Sequence, residues 1–166
     1  MNPYNQDLDR NPANHQPLTP LLFLERSAQL FPDRIAIRHR QTSFTYQQFY
    51  QRSRKLANAL TKLHHVQVGD TVSVLLANTP PMLECHYGIP MAGAVIHSIN
   101  TRLDASSIAF QLEHALSKLL IVDDEFLTMA KTALDLLDAP PPVIIYCDPE
   151  IQHHASKTCE YEDLLD

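Results

Sequence analysis

Between Asp70 and Tyr146 the sequence alternates two kinds of stretch, and this rhythm constrains the fold more than any other feature. "TVSVLL", "AVIHSI", "KLLIV" and "VIIY" are apolar runs of strand length. The stretches between them have helical spacing. Thr79 caps a helix with Pro80 and Pro81 in its first turn, both tolerable there, and that helix should reach about Met91. Asp104 or Ser106 caps the next, with Ile108, Leu112 and Ala115 inward. "EFLTMAKTALDLL" places Phe126, Ala130, Leu134 and Leu137 on one face. Successive strands joined through helices must cross over in parallel, right-handed almost without exception. The expectation is an α/β fold with a mostly parallel sheet layered with helices. Its strands fall near 71–76, 95–99, 118–122 and 143–146, and its helices near 46–63, 80–91, 105–115 and 125–137.

The preceding residues read differently. Residues 1–18, rich in Asn and Pro, form an extended arm, and residues 19–166 form the folded unit. Thr19 and Pro20 open a helix with Leu21, Leu24, Ala28 and Phe31 in register, and Pro32-Asp33 ends it. "IAIRHRQTSFTY" reads as a small hairpin with Ile35 and Ile37 on one face. Its turn contains no Gly, Asn or Asp, which argues against a tight primed turn. Thr45 and Gln48 have capping-box spacing, and Phe49, Ser53, Leu56, Leu60 and Leu63 share a face of the helix they open. Residues 147–157 read as a polar loop, and "EYEDLLD" as the start of a short helix.

The formal net charge of −6 supplies no phosphate-neutralising patch, which argues against nucleic acid as a partner. No apolar run reaches the length of a membrane span, and "MNPYNQDLDRNPANHQPLTP" lacks a signal-peptide core. The three cysteines, Cys85, Cys147 and Cys159, have no CxxC pairing. An odd, scattered set suits unpaired thiols in a reducing cytoplasm better than a disulfide framework.

Four chemistries can be tested. "KLLIVDDE" ends a strand in two aspartates, as a phosphoryl-accepting receiver pocket does. In that fold the pair follows the first strand and a further carboxylate follows the third. Here the pair comes late, so Asp123 and Asp124 are better read as capping a strand-to-helix turn. His64-His65 and His153-His154 are adjacent pairs whose side chains diverge, and His86, His97 and His114 stand singly, so no metal set emerges. Cys85 beside His86 diverges likewise and reads as a buried, inert thiol. With only 3 glycines, no phosphate cradle of the GxGxxG or P-loop type exists.

Several stretches, in order, resemble a known family. "LTPLLFLERSAQLFPDRIAI", "FTYQQFYQRSRKLANAL", the long run from "VGDTVSVLLANTPPMLECHYGIPMAG" to "SKLLIVDD", and the final "EYEDLL" look like the opening portion of the AMP-forming acyl-CoA synthetases, within the adenylate-forming ligases. The arm "NPYNQDLDRNPANHQPLTP" resembles the branch acting on medium-chain fatty or related short carboxylic acids. The resemblance implies the first subdomain of that ligase fold and a two-step reaction in the full-length family. A carboxylate attacks ATP with Mg²⁺ help, giving acyl-adenylate and pyrophosphate, and coenzyme A then displaces AMP. The family's phosphate loop, its later ATP- and Mg²⁺-binding carboxylates and its C-terminal lysine have no counterpart here. No catalytic, cofactor-binding or metal-binding residue can therefore be carried over, and the chain alone is expected to bind none of ATP, Mg²⁺ or CoA and to be inactive. The expected partner is the remainder of the ligase or another ligase subunit. The alternative is a stand-alone interaction module on the same scaffold. Two departures concern turns: the family often has glycine where this chain reads His39-Arg40-Gln41, and after the second helix where it reads His64-His65.

Overall fold

The computed structural model describes residues 9, 11, 13, 15–151 and 159–165. Most of the expected arm therefore lies outside the described residues, and so do His153-His154. The chain enters through α1 (Pro20–Leu30), where Thr19 Oγ1 accepts from the Leu21 amide at 3.4 Å. Only Leu24 and Ala28 of this helix are buried; Phe31 at its end is half-exposed. A hairpin follows, β1 (Ile35–His39) and β2 (Thr42–Thr45). The strands are joined by two residues, and His39 pairs with Thr42. The turn is thus tight, contrary to expectation. Arg40 makes it possible by adopting a φ of 48°, the left-handed region that usually calls for glycine. A register shift between Ile35 and Ile37 buries Ile37 and leaves Ile35 exposed, so the two do not share a buried face.

The helix α2 (Tyr46–Lys62) opens with the expected capping box: Thr45 Oγ1 accepts from the Gln48 amide, and Gln48 Oε1 from the Thr45 amide. Phe49, Ser53, Leu56 and Leu60 form its buried face, whereas Leu63, at the cap, turns outward. His65 then takes a φ of 52°. Both turns where the family often has glycine are therefore left-handed here, held by Arg40 and His65.

The remaining elements form one sheet. β3 (Thr71–Leu75), β4 (Val95–Ser98), β5 (Ser117–Asp123) and β6 (Val143–Tyr146) pair in the order β4-β3-β5-β6, every pair parallel. Between them run α3 (Pro80–Met91), α4 (Ala105–His114) and α5 (Leu127–Leu134). The 3₁₀ turn Asp124–Phe126 takes the first residues expected for α5, which also ends sooner than expected. A last short helix, α6 (Glu160–Asp163), lies in "EYEDLLD".

Alternation along the central strands sorts the core. Val72, Val74, Leu119 and Ile121 pack with Leu56, Leu60, Cys85 and Ile89 from α2 and α3, and with Tyr161 from α6. Leu75, Leu120 and Val122 pack with Ile108, Leu112, Leu127 and Ala130 from α4 and α5. A third cluster, Leu24, Ile37 and Phe49, fastens α1 and the hairpin to α2.

Candidate functional site at the carboxyl edge of the sheet

In this strand order the connections diverge on either side of β3 and β5. Open α/β sheets bind ligands at such a switch point, outside the carboxyl ends of the strands. Asp123 lies there, but Asp123 Oδ1 accepts from the Glu125 amide at 3.1 Å and caps the 3₁₀ turn. Burial pushes the Asp123 carboxyl above its usual value, although the amides of Glu125 and Ala77 pull the other way. Among the described residues no group of three or more His, Cys, Asp or Glu could hold a metal ion. The geometry is that of a capped turn.

Beside this turn lies a groove of about 580 Å³. The hairpin lines it with Ile37, Arg38 and His39, the loop after β3 with Asn78 and Thr79, and α3 with Met82, Leu83, His86 and Tyr87. Thr79 stands at the start of α3 but, contrary to expectation, gives it no side-chain cap; its hydroxyl donates to the Ala77 carbonyl instead. The lining is largely apolar, with a few polar groups at the margin, the usual make-up of a binding cleft.

The hairpin wall of the groove is held from outside by the segment following β6. Asp148 Oδ2 lies 3.1 Å from His39 Nε2 and 3.6 Å from Arg40 Nη1. Glu150 Oε1 accepts from the Thr42 hydroxyl at 2.7 Å and the Thr42 amide at 3.0 Å, and the Gln41 amide also donates to this carboxylate. The left-handed turn at Arg40 is thus satisfied by two acids far away in sequence. Partial burial works against ionisation of Asp148, but the Glu150 amide, His39 and Arg40 hold its carboxyl below the usual value. The Thr42 hydroxyl does the same for Glu150, joined by the Gln41 and Thr42 amides.

A second polar network lies behind. Glu84 on α3 is fully buried and pairs with the Arg52 guanidinium from α2. The Tyr161 hydroxyl donates to Glu84 Oε2 at 2.8 Å. Arg52 also donates to both oxygens of Glu162, at 2.9 and 2.8 Å, and its guanidinium lies 4.8 Å from the Phe44 ring centre. This network ties α6 to α2 and α3. No motif announces it; the available signal was a lone acid in the apolar "PPMLECHYGIPM".

Two expectations about cysteine divide. Cys85 is buried as expected, and burial pushes its thiol far above the usual range, which disfavours the reactive thiolate. Cys147 and Cys159, by contrast, form a disulfide, contrary to the expectation of unpaired thiols. Their Cα atoms are 5.5 Å apart because β6 ends at one and α6 begins at the other. His97 Nδ1 sits 2.8 Å from Ser73 Oγ, which lies 2.6 Å from Ser117 Oγ. This Ser–His contact joins three strands, and Ser73 is wholly buried, so it is sheet glue and no nucleophile.

Gly88 lies where α3 meets α2: a Cβ there would come 2.8 Å from Leu56 Cδ2 and 2.9 Å from the Ser53 carbonyl. Gly69 and Gly93 hold left-handed turns leading into β3 and β4, at the amino edge of the sheet, and the Gly69 amide donates to the Gly93 carbonyl at 2.9 Å. All 3 glycines are thus engaged in the scaffold.

Known proteins share this frame. Residues 24–164 match the AMP-binding enzyme family. The chain is 40% identical to an acetate–CoA ligase of Humulus lupulus, over 96% of this chain and 30% of that protein. It is 41% identical to a peroxisomal benzoate–CoA ligase of Arabidopsis thaliana, over 96% of this chain and 28% of that protein. It therefore spans about 30% of the length of the curated relatives it matches. An O-succinylbenzoate coenzyme A synthetase from Bacillus subtilis, solved with AMP, superposes with a TM-score of 0.67 at 25% identity, covering 90% of this chain and 32% of that one. An anthranilate CoA ligase solved with anthranoyl-AMP shares the fold, with a TM-score of 0.76 at 22% identity over 87% of this chain and 27% of that one. The match over most of the chain and the likeness to these relatives show that the chain belongs to the AMP-binding enzyme family.

Proposed function

We propose that this chain is the scaffold portion of an acid–CoA ligase for short or medium-chain carboxylic acids, and that by itself it forms no acyl-adenylate. The support for the second half of this reading is that every glycine is taken up by a scaffold turn or a helix crossing. Adenylate formation needs backbone donors and cations fixed around the phosphates. Loss of even one such donor typically costs about 100- to 1000-fold in rate. The substrate class rests on the likeness to ligases named for acetate, butyrate and benzoate. The lean towards a ligase portion over an interaction module rests on exposed apolar residues. Val95 on the open edge strand β4, Phe110 and Leu116 all face solvent, where an adapted module would carry polar side chains.

The test is exchange of labelled pyrophosphate into ATP by the purified 166-residue chain, with Mg²⁺ and acetate, butyrate, octanoate or benzoate. Exchange at background is the expected result. Carboxylate-dependent exchange by the chain alone would overturn the proposal. Exchange that appears only with an added polypeptide bearing the rest of the ligase supports it.

A further inference from the structure

We infer that Cys147–Cys159 is a thiol–disulfide exchange site that controls the two polar latches on either side of it. The reading does not depend on ligase activity. Its basis is placement. Cys147 is followed at once by Asp148, which holds His39 and Arg40, and then by Glu150, which holds the turn residues Gln41 and Thr42. Cys159 is followed at once by Glu160, which accepts from the Ile145 amide at 3.2 Å, and by Tyr161 and Glu162, which hold Glu84 and Arg52. The bridge thus pins together the roots of both latches. A small cavity between them is lined by residues of each, including His39, Arg52, Asp148 and Glu162.

The two cysteines also differ in the way an exchange site requires. Cys159 is exposed and Cys147 is buried. A dithiol reductant reaches the Cys159 sulfur first. Its thiolate forms a mixed disulfide with Cys159 and expels Cys147 as the thiolate, which takes up a proton. The second reductant thiol then closes a disulfide with the first and releases Cys159. Two electrons pass from the dithiol to the protein bridge, and the reductant leaves as a cyclic disulfide. Without the bridge, the segments beginning at Asp148 and Glu160 are no longer held side by side at their roots. The Arg40 turn then loses the fixed position of the acids that satisfy it. That turn belongs to the hairpin wall of the 580 Å³ groove, so the redox state sets the rigidity of that wall.

The experiment combines thiol counting with hydrogen exchange read by mass spectrometry. The chain is equilibrated in buffers poised with oxidised and reduced dithiothreitol, quenched in acid, denatured and alkylated. One alkylated cysteine, Cys85, is expected at the oxidising end and three at the reducing end. In the native chain, reduction should speed exchange at residues 40–42 and 160–165 by roughly tenfold or more, while the central strands β3 and β5 stay protected. Cys159→Ser, a change at an exposed residue, should reproduce the reduced pattern in oxidising buffer, and Cys147→Ser is the second variant. Three alkylated cysteines at the oxidising end would overturn the inference. So would unchanged exchange at residues 40–42 and 160–165 on reduction. Protection lost equally from β3 and β5 would also overturn it, since the bridge would then stabilise the whole molecule and not the latches.

Discussion

Gly88 sets how closely α2 and α3 approach each other. Its missing side chain leaves room for Leu56 and the Ser53 carbonyl, and one of those obstacles is backbone that cannot swing aside. Gly88→Ala should therefore destabilise the fold by about 1–3 kcal/mol through overpacking, read by urea denaturation. Arg52 is the counterpart case of charge. Glu84 has no exposure, and Arg52 is the cation it touches. Arg52→Met keeps the aliphatic volume but leaves a buried carboxylate uncompensated, a loss of about 3–5 kcal/mol. Arg52→Lys should rescue only part of it, because a single ammonium cannot serve Glu84 and Glu162 with paired donors as the guanidinium does. The same urea titration checks both, and equal stability of Arg52→Lys and the parent would refute the paired-donor account.

At the scale of elements, the hairpin depends on acids it does not contain. Asp148 and Glu150 both have carboxyls held below their ordinary values of 3.8 and 4.5. A depressed folded value means that their contribution is complete above those ordinary values and is lost as pH falls through the folded ones. Amide exchange at Gln41 and Thr42, corrected for the intrinsic pH dependence of exchange, should thus lose protection below about pH 4. Glu150→Gln should weaken that protection already at pH 7. Asp123 behaves in the opposite sense. Burial raises its value, so its ionised form is a burden on the fold above that pH. Asp123→Asn keeps an oxygen for the Glu125 amide and should stabilise the protein at pH 7, with the gain shrinking as the medium is acidified. Denaturant midpoints at pH 7 and pH 3.5 would reveal the trend, and a loss of stability at pH 7 would contradict it.

For the molecule as a whole, two histidines set the response to mild acid. Burial lowers His64, helped by His65, and burial lowers His97 against a hydrogen bond with Gln111. The folded chain then binds fewer protons than the unfolded chain just below the ordinary value of 6.5. Stability should therefore be full above pH 6.5 and fall as the solution is acidified from there towards the lowered folded values. His64 Nε2 is buried with no hydrogen-bond partner, so the imidazole gains nothing there that glutamine would forfeit. His64→Gln should flatten part of the slope between pH 7 and pH 5.5 in urea midpoints, and an unchanged slope would remove His64 from the account. Among the described residues no helix is long and apolar enough to cross a membrane.

Local order was legible in the sequence because it rests on neighbours along the chain. The capping box at Thr45 and Gln48, the Asp104 cap and the four parallel strands all follow from spacing a few residues long. The aspartate pair read as a capped turn for the same reason, since Asp123 bonds an amide two residues on. Long-range partners were not legible. Nothing near Arg40 says that a non-glycine residue can hold a two-residue turn; Glu150 and Asp148 say it, and they lie more than a hundred residues away. Nothing in three scattered cysteines pairs Cys147 with Cys159; the end of β6 beside the start of α6 does. Nor does the helical period around Arg52 name Glu84, Tyr161 and Glu162 as its partners. The sequence by itself determined the elements and their parallel order, because propensity, periodicity and capping act locally. Only the tertiary structure decided the turn, the bridge and the buried ion network, because each exists where segments distant in the chain are brought to one edge of the sheet.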